Sequence, residues 1–118
     1  MSLLARVFEI KDFERPADGA PVRSVVSENG ASVSIVWHVK PGQEVAAHVH
    51  PAGQDVWTVI EGEAEYYLGS GETVAIRKGQ VAVARPGEVH GAFNRGNTPF
   101  VFVSVVSPSA AGYVAAEK

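Results

Sequence analysis

The 118-residue chain contains no cysteine. That excludes a disulfide framework, a thiolate nucleophile and any cysteine-ligated zinc or iron–sulfur site. It agrees with a reducing compartment without requiring one. No apolar run approaches the length that spans a bilayer, so no membrane segment is expected. The opening residues, Met1-Ser2-Leu3-Leu4-Ala5-Arg6, lack a basic start followed by a sustained apolar stretch. No signal peptide is read there, and a cytoplasmic location is expected. Basic charge is also scarce. Ten Lys and Arg stand against 13 Asp and Glu, a formal charge of −3, which gives no support to a nucleic-acid binder working through a basic face. With 46% hydrophobic and 19% charged residues, the chain reads as folded rather than disordered. Linkers, low-complexity segments and tandem repeats are missing too, so residues 1–118 are expected to form a single domain. Chemistry must then come from four histidines, the carboxylates or the hydroxyls.

What the chain does have is punctuation. Gly and Pro are spread along it, in Asn29-Gly30, Pro41-Gly42, Pro51-Ala52-Gly53, Glu61-Gly62, Gly69-Ser70-Gly71, Lys78-Gly79, Pro86-Gly87 and Gly96-Asn97-Thr98-Pro99. Breaks at roughly 8–12-residue intervals are the spacing of an all-β sandwich or barrel. Between them lie runs rich in β-branched and aromatic residues. Ser32 to Lys40 alternates, with Val33, Ile35, Trp37 and Val39 on one face and Ser34, Val36, His38 and Lys40 on the other. A period of two means a strand. Val56–Ile60, Ala64–Leu68, Thr73–Arg77, Val81–Ala84 and Phe100–Val106 read the same way. Val7–Ile10 and Val22–Ser27 are further expected strands. Helical periodicity is absent from the body of the chain; Leu3–Phe8 and Ala110–Lys118 are expected to form at most short helical turns. The architecture implied is a small antiparallel barrel or jelly roll, in which closing or doubling the sheet hides the edges.

Three histidines fall in informative places. His48 and His50 form an H-x-H pair, and in an extended chain residues two apart point to the same face. Pro51-Ala52-Gly53 turns the chain, and Asp55 opens the next strand, within reach of the same point. His90 follows a second turn, Arg85-Pro86-Gly87-Glu88. Three neutral imidazoles and a carboxylate make a mixed nitrogen and oxygen site suited to Fe(II), Mn(II), Ni(II), Cu(II) or Zn(II). His38 is read as a strand histidine without a ligand role.

These segments resemble the two motifs of the cupins. Gly42-(x5)-His48-x-His50-(x4)-Asp55-(x6)-Gly62 is similar to the first, G-x5-H-x-H-x3/4-E-x6-G. Gly79-(x7)-Gly87-(x2)-His90-(x3)-Asn94 is similar to the second, G-x5-P-x-G-x2-H-x3-N. The resemblance spans about residues 31–107. Two departures stand out: Asp55 replaces the motif Glu and is one methylene shorter, and Arg85 replaces the first motif Pro, with Pro86 following.

The resemblance implies a double-stranded β-helix, a jelly-roll barrel with a divalent metal near its middle. His48, His50, Asp55 and His90 would be the ligands, and a homodimer the assembly. Asp55 has a second reading as a turn residue after the Pro51 bend. Trp57, Arg85 and Gln54 are the candidate substrate-binding residues. Trp57 shares the face of Asp55 and reads either as cavity lining or as plain core. Arg85 reads either as the holder of an anionic group or as an ion-pair partner of Glu88. Asn94 is expected to be a structural hydrogen-bonder. The function expected is a metal-dependent enzyme of dioxygenase, isomerase or lyase type, acting on a small organic molecule, an anionic one if Arg85 holds it. The alternative is a non-catalytic barrel that binds a small ligand, with a structural metal or none. Fold and motif alone do not choose between them.

Overall fold

Valine-rich alternating runs become strands because branched side chains pack well on a pleated, half-buried surface. The computed structural model describes residues 5–118. Its strands are β1 (Ser24–Glu28), β2 (Val33–Val39), β3 (Glu44–Val49), β4 (Gln54–Glu61), β5 (Glu63–Gly69), β6 (Glu72–Arg77), β7 (Val81–Ala84), β8 (His90–Phe93), β9 (Phe100–Ser107) and β10 (Val114–Ala115). They form two five-stranded sheets, ordered β1-β2-β9-β4-β7 and β10-β3-β8-β5-β6. Strand pairs are antiparallel throughout, and the chain passes from one sheet to the other between β2 and β3, β3 and β4, and β4 and β5. This is the jelly-roll double-stranded β-helix expected from the sequence. Among the described residues no helix is long and apolar enough to cross a membrane.

The sheets face each other across two apolar clusters. The larger brings Val39, Trp57, Val59, Phe100 and Phe102 from the first sheet against Val45, Ala64, Tyr66, Ile76 and Ala92 from the second. Aromatic geometry organises it: Trp57 stacks on Phe102 with centroids 3.9 Å apart, and Tyr66 meets Trp57 edge-on at 5.2 Å. The smaller cluster holds Val33, Ile35, Val106 and Ala111, and Trp37 packs against both. Asn94 ties the loops at the closed end, as expected. Its side-chain amide donates to the carbonyls of Val39 (3.0 Å) and Thr98 (2.9 Å), and its oxygen accepts from the Gly96 N–H. Gly62, at φ +77°, makes the β4–β5 turn where any side chain would strike the Pro99 carbonyl oxygen.

Both chain ends depart from expectation. Val7–Ile10 forms no strand; Ile10–Phe13 is instead a single 3₁₀ turn. Val7 is 89% exposed, and its segment has no strand beside it to pair with, so alternation alone does not make it one. The rest of this segment is clipped to the barrel by polar contacts. His38 meets Glu14 at 2.8 Å, and the Gln43 amide donates to the carbonyls of Ala17 and Gly19. Residues 5–8 are not helical, and Leu3 and Leu4 lie outside the described residues. At the other end Ala110–Lys118 is extended rather than helical. Val114 and Ala115 pair with Val49 and His48, so the free edge of β3 overrides the helix preference of an alanine-rich tail.

Removing the central ring of the larger cluster tests this packing. Phe102→Ala is expected to cost about 3–5 kcal/mol in unfolding free energy, read from urea denaturation. A loss below about 1 kcal/mol would show that the stack with Trp57 carries little of the core.

Candidate metal centre

The site is assembled from both sheets. His48 lies near the end of β3, His50 just beyond it, and His90 opens β8; Asp55 comes from β4 in the opposite sheet. His48 and His90 are direct cross-strand partners. That pairing needs a close approach, because a side chain at Gly91 would meet the Val45 carbonyl oxygen at 2.6 Å and the Tyr67 ring at 2.9 Å. The ring centroids stand 4.9 Å apart for His48–His50, 4.1 Å for His48–His90 and 5.0 Å for His50–His90. One donor atom from each of His48, His50, Asp55 and His90 falls within 4.8 Å of all the others. The structure thus brings together all four residues expected as ligands.

Each imidazole is oriented by the backbone. The Nδ1–H of His48 donates to the Ala46 carbonyl (2.7 Å), that of His50 to Gly112 (2.7 Å) and that of His90 to Glu88 (3.1 Å). With Nδ1 protonated, Nε2 carries the lone pair, which is the tautomer a metal requires. His50 Nε2 is buried and has no hydrogen-bond partner; it lies 3.4 Å from Asp55 Oδ2 without hydrogen-bond geometry. Asp55 Oδ2 sits 3.0 Å from His90 Nε2, while Oδ1 accepts from the Ser104 hydroxyl at 2.5 Å. An orphaned buried nitrogen, two further Nε2 atoms and a carboxylate oxygen fit a divalent transition metal by donor type and by distance.

Electrostatics follows from this crowding. Burial pushes the His48 pKa down to about 4, so the ring is neutral near pH 7. The Asp55 carboxylate raises the pKa of His50 against the opposing effect of burial. Burial pushes the Asp55 carboxyl up, but contacts from His50, His90 and Ser104 outweigh it and hold the group well below the usual carboxylate range.

Beside the cluster lies a partly open cavity of about 610 Å³. Trp57 lines it, 1% exposed, and also packs in the core, so both readings of this residue hold together. The other two substrate candidates lie elsewhere. Gln54 is exposed and alternates to the face opposite Asp55, away from the cavity. Arg85 has a side chain 71% exposed, lies 3.7 Å from Glu88 and does not reach the cavity. Three lining residues escaped sequence reasoning. Arg23 stands just before β1, Tyr113 stacks on His48 at 4.9 Å, and Ser104 holds Asp55. The alternation of β9 placed Ser104 on an inward face, and that was its only signal.

Protons compete with metal for these ligands. His50, the ring with a raised pKa, should set the pH at which ion uptake fails, because His48 keeps its lone pair down to about 4. Uptake is therefore expected to fall as pH drops through the His50 titration. In Asp55→Asn, which removes both a carboxylate donor and the cause of the raised pKa, ion uptake at neutral pH should weaken by about 10–100-fold, and the His50 ring of the ion-free protein should titrate at lower pH. Chelator competition across pH and NMR of the ring check the two, and an unmoved ring titration would show that Asp55 does not govern His50.

Comparison with known proteins agrees with this geometry. Residues 35–106 match the cupin domain family. A Klebsiella pneumoniae crystal structure, described as an uncharacterized conserved protein with a double-stranded beta-helix domain, is 55% identical. It aligns over 97% of this chain and 99% of its own length, with a TM-score of 0.95. The tetracenomycin polyketide synthase protein TcmJ of Streptomyces glaucescens is 29% identical over 96 residues; these are 78% of this chain and span 64% of that relative's length. An oxalate oxidase solved with the substrate analogue glycolate is 25% identical, over 72% of this chain and 46% of its own, with a TM-score of 0.64. With the motif spacing, the jelly-roll topology and the matched domain in agreement, this chain belongs to the cupin family.

Proposed function

We propose that the chain is a metal-dependent enzyme acting on a small organic substrate, with one divalent ion (Fe, Mn, Ni, Cu or Zn) held by His48, His50, Asp55 and His90. The observation that carries this reading is the convergence of four donors from two sheets, with Nδ1 of every imidazole set against a main-chain carbonyl and Nε2 left to the cluster. An ion held there supplies Lewis-acid polarisation of a substrate oxygen and, if it is Fe(II) or Mn(II), access to dioxygen. The chain's own residues do the rest. Trp37, Ile35 and Val106 give the cavity apolar walls that exclude water from one side of a ligand. Ser104 holds Asp55 in place, and the Gly112 carbonyl holds His50. Tyr113, 61% exposed and stacked on His48, stands beside the ligand cluster at the cavity's edge.

Dioxygenase, isomerase and lyase chemistry all suit such a centre. The oxalate oxidase complex with glycolate supports a small oxygen-rich acid as the substrate type, and the polyketide synthase relative supports an enzymatic setting. The form we propose is a cytoplasmic homodimer, whose assembly sedimentation velocity checks directly.

A second reading, a non-catalytic ligand binder with a structural metal or none, draws on one observation. The cavity offers little free acid or base, since Glu44 is engaged by the Tyr67 hydroxyl and by Lys118. Elemental analysis of protein purified under metal-replete conditions tests the main reading. Wild type is expected to carry about one ion per chain and the His48→Ala/His90→Ala variant almost none. Equal content in the two would remove the metal centre. Oxygen uptake with a panel of dicarbonyls, phenols and thiols then separates an oxygenase from a binder.

A further inference from the structure

We infer that Arg23 selects the cavity's ligand, and that this ligand is an organic carboxylate with a flat apolar body. The inference rests on the reading of the site as a metal centre for a small molecule and names the class of that molecule.

Three charged side chains other than imidazoles line the cavity: Arg23, Glu44 and Asp55. Two of them are satisfied from within the protein. Glu44 accepts from the Tyr67 hydroxyl and from Lys118 Nζ at 3.2 Å. Asp55 accepts from Ser104 and faces His90 at 3.0 Å. Arg23 makes no ion pair and no side-chain hydrogen bond with any other described residue. It lines the same cavity as His48, His50 and Asp55.

A guanidinium in that position is a fork of N–H donors that matches a carboxylate with two parallel hydrogen bonds. A phosphate monoester fits less well. Without an ion its second charge would stay unpaired in a cavity that already holds the Glu44 and Asp55 carboxylates. The apolar walls of the cavity include the flat Trp37 ring and the branched side chains of Ile35 and Val106. These surfaces ask for an acid group beside Arg23 and a flat body against Trp37.

The protein has two tryptophans, Trp37 and Trp57, and both line this cavity, so its tryptophan fluorescence reads ligand entry directly. Benzoylformate, its methyl ester and phenyl phosphate are titrated into wild type, Arg23→Gln, Arg23→Lys and Arg85→Gln, each zinc-loaded and ion-free. The acid is expected to bind wild type at least about tenfold tighter than the ester. Arg23→Gln should abolish that preference, Arg23→Lys should retain part of it, and Arg85→Gln should leave it intact. Zinc content measured on the same samples should be equal in all four proteins. Equal binding of acid and ester to wild type, including binding of neither, overturns the inference. So does a preference that survives Arg23→Gln, or tighter binding of phenyl phosphate than of benzoylformate to the ion-free protein. Failure of wild type to take up zinc, with the acid preference intact in the ion-free protein, would instead remove the metal centre and leave the role of Arg23 standing.

Discussion

A carboxylate buried between two sheets organises this molecule. Asp55 leaves water for an interior lined by Trp57 and Ser104, and an ionised group there costs several kcal/mol unless it is met by donors. Its own sheet meets it with the Ser104 hydroxyl, and the opposite sheet brings His90 Nε2 to 3.0 Å, a contact that a shared proton or a shared cation makes favourable. Each of the three imidazoles is anchored through Nδ1 to a main-chain carbonyl, and those carbonyls belong to a turn, a strand and the C-terminal tail. The same arrangement that makes a buried carboxylate tolerable gives a dication its ligands.

The barrel divides its labour lengthwise. At one end, Phe100, Phe102, Val59 and Tyr66 fill the space between the sheets with stacked rings and branched side chains. Toward the other, a smaller cluster around Val33 and Ala111 leaves the cavity room beside the ligands. Trp37 and Trp57 stand on the boundary, packed in the core on one side and facing the cavity on the other. A rigid core next to the site keeps donor positions fixed, as a preorganised centre needs. The C-terminal tail completes it: Ala111 is buried, Gly112 holds His50, and β10 covers the outer edge of β3.

The two readings of function part at the cavity wall. An enzyme with few free acids and bases must lean on its metal and on placement of the substrate. Trp57, Tyr113 and Arg23 are the residues available for placement, and two of these three sit on segments that flank the barrel's regular strands. Variation at Arg23 would change the ligand without touching His48, His50, Asp55 or His90, which is how one scaffold serves many chemistries.

Much of this was legible in the residues. Period-two runs and regularly spaced glycines and prolines reveal an all-β barrel, because strand alternation and turn chemistry are local properties. The H-x-H spacing likewise puts His48 and His50 on one face, and the resemblance to the cupin motifs adds Asp55 and His90 to the cluster that the structure assembles. Other features were decided only by the folded whole. Val7–Ile10 alternates but finds no neighbouring strand, and Ala110–Lys118 favours helix but meets an open edge. Gln54 and Arg85 lie close to the ligands in sequence yet outside the cavity, whereas Arg23 and Tyr113 lie far off in sequence and line it. Periodicity and spacing report which face of a strand a residue takes. Which distant segment is laid against that face depends on sheet order and on edges left unpaired, and no local pattern encodes those.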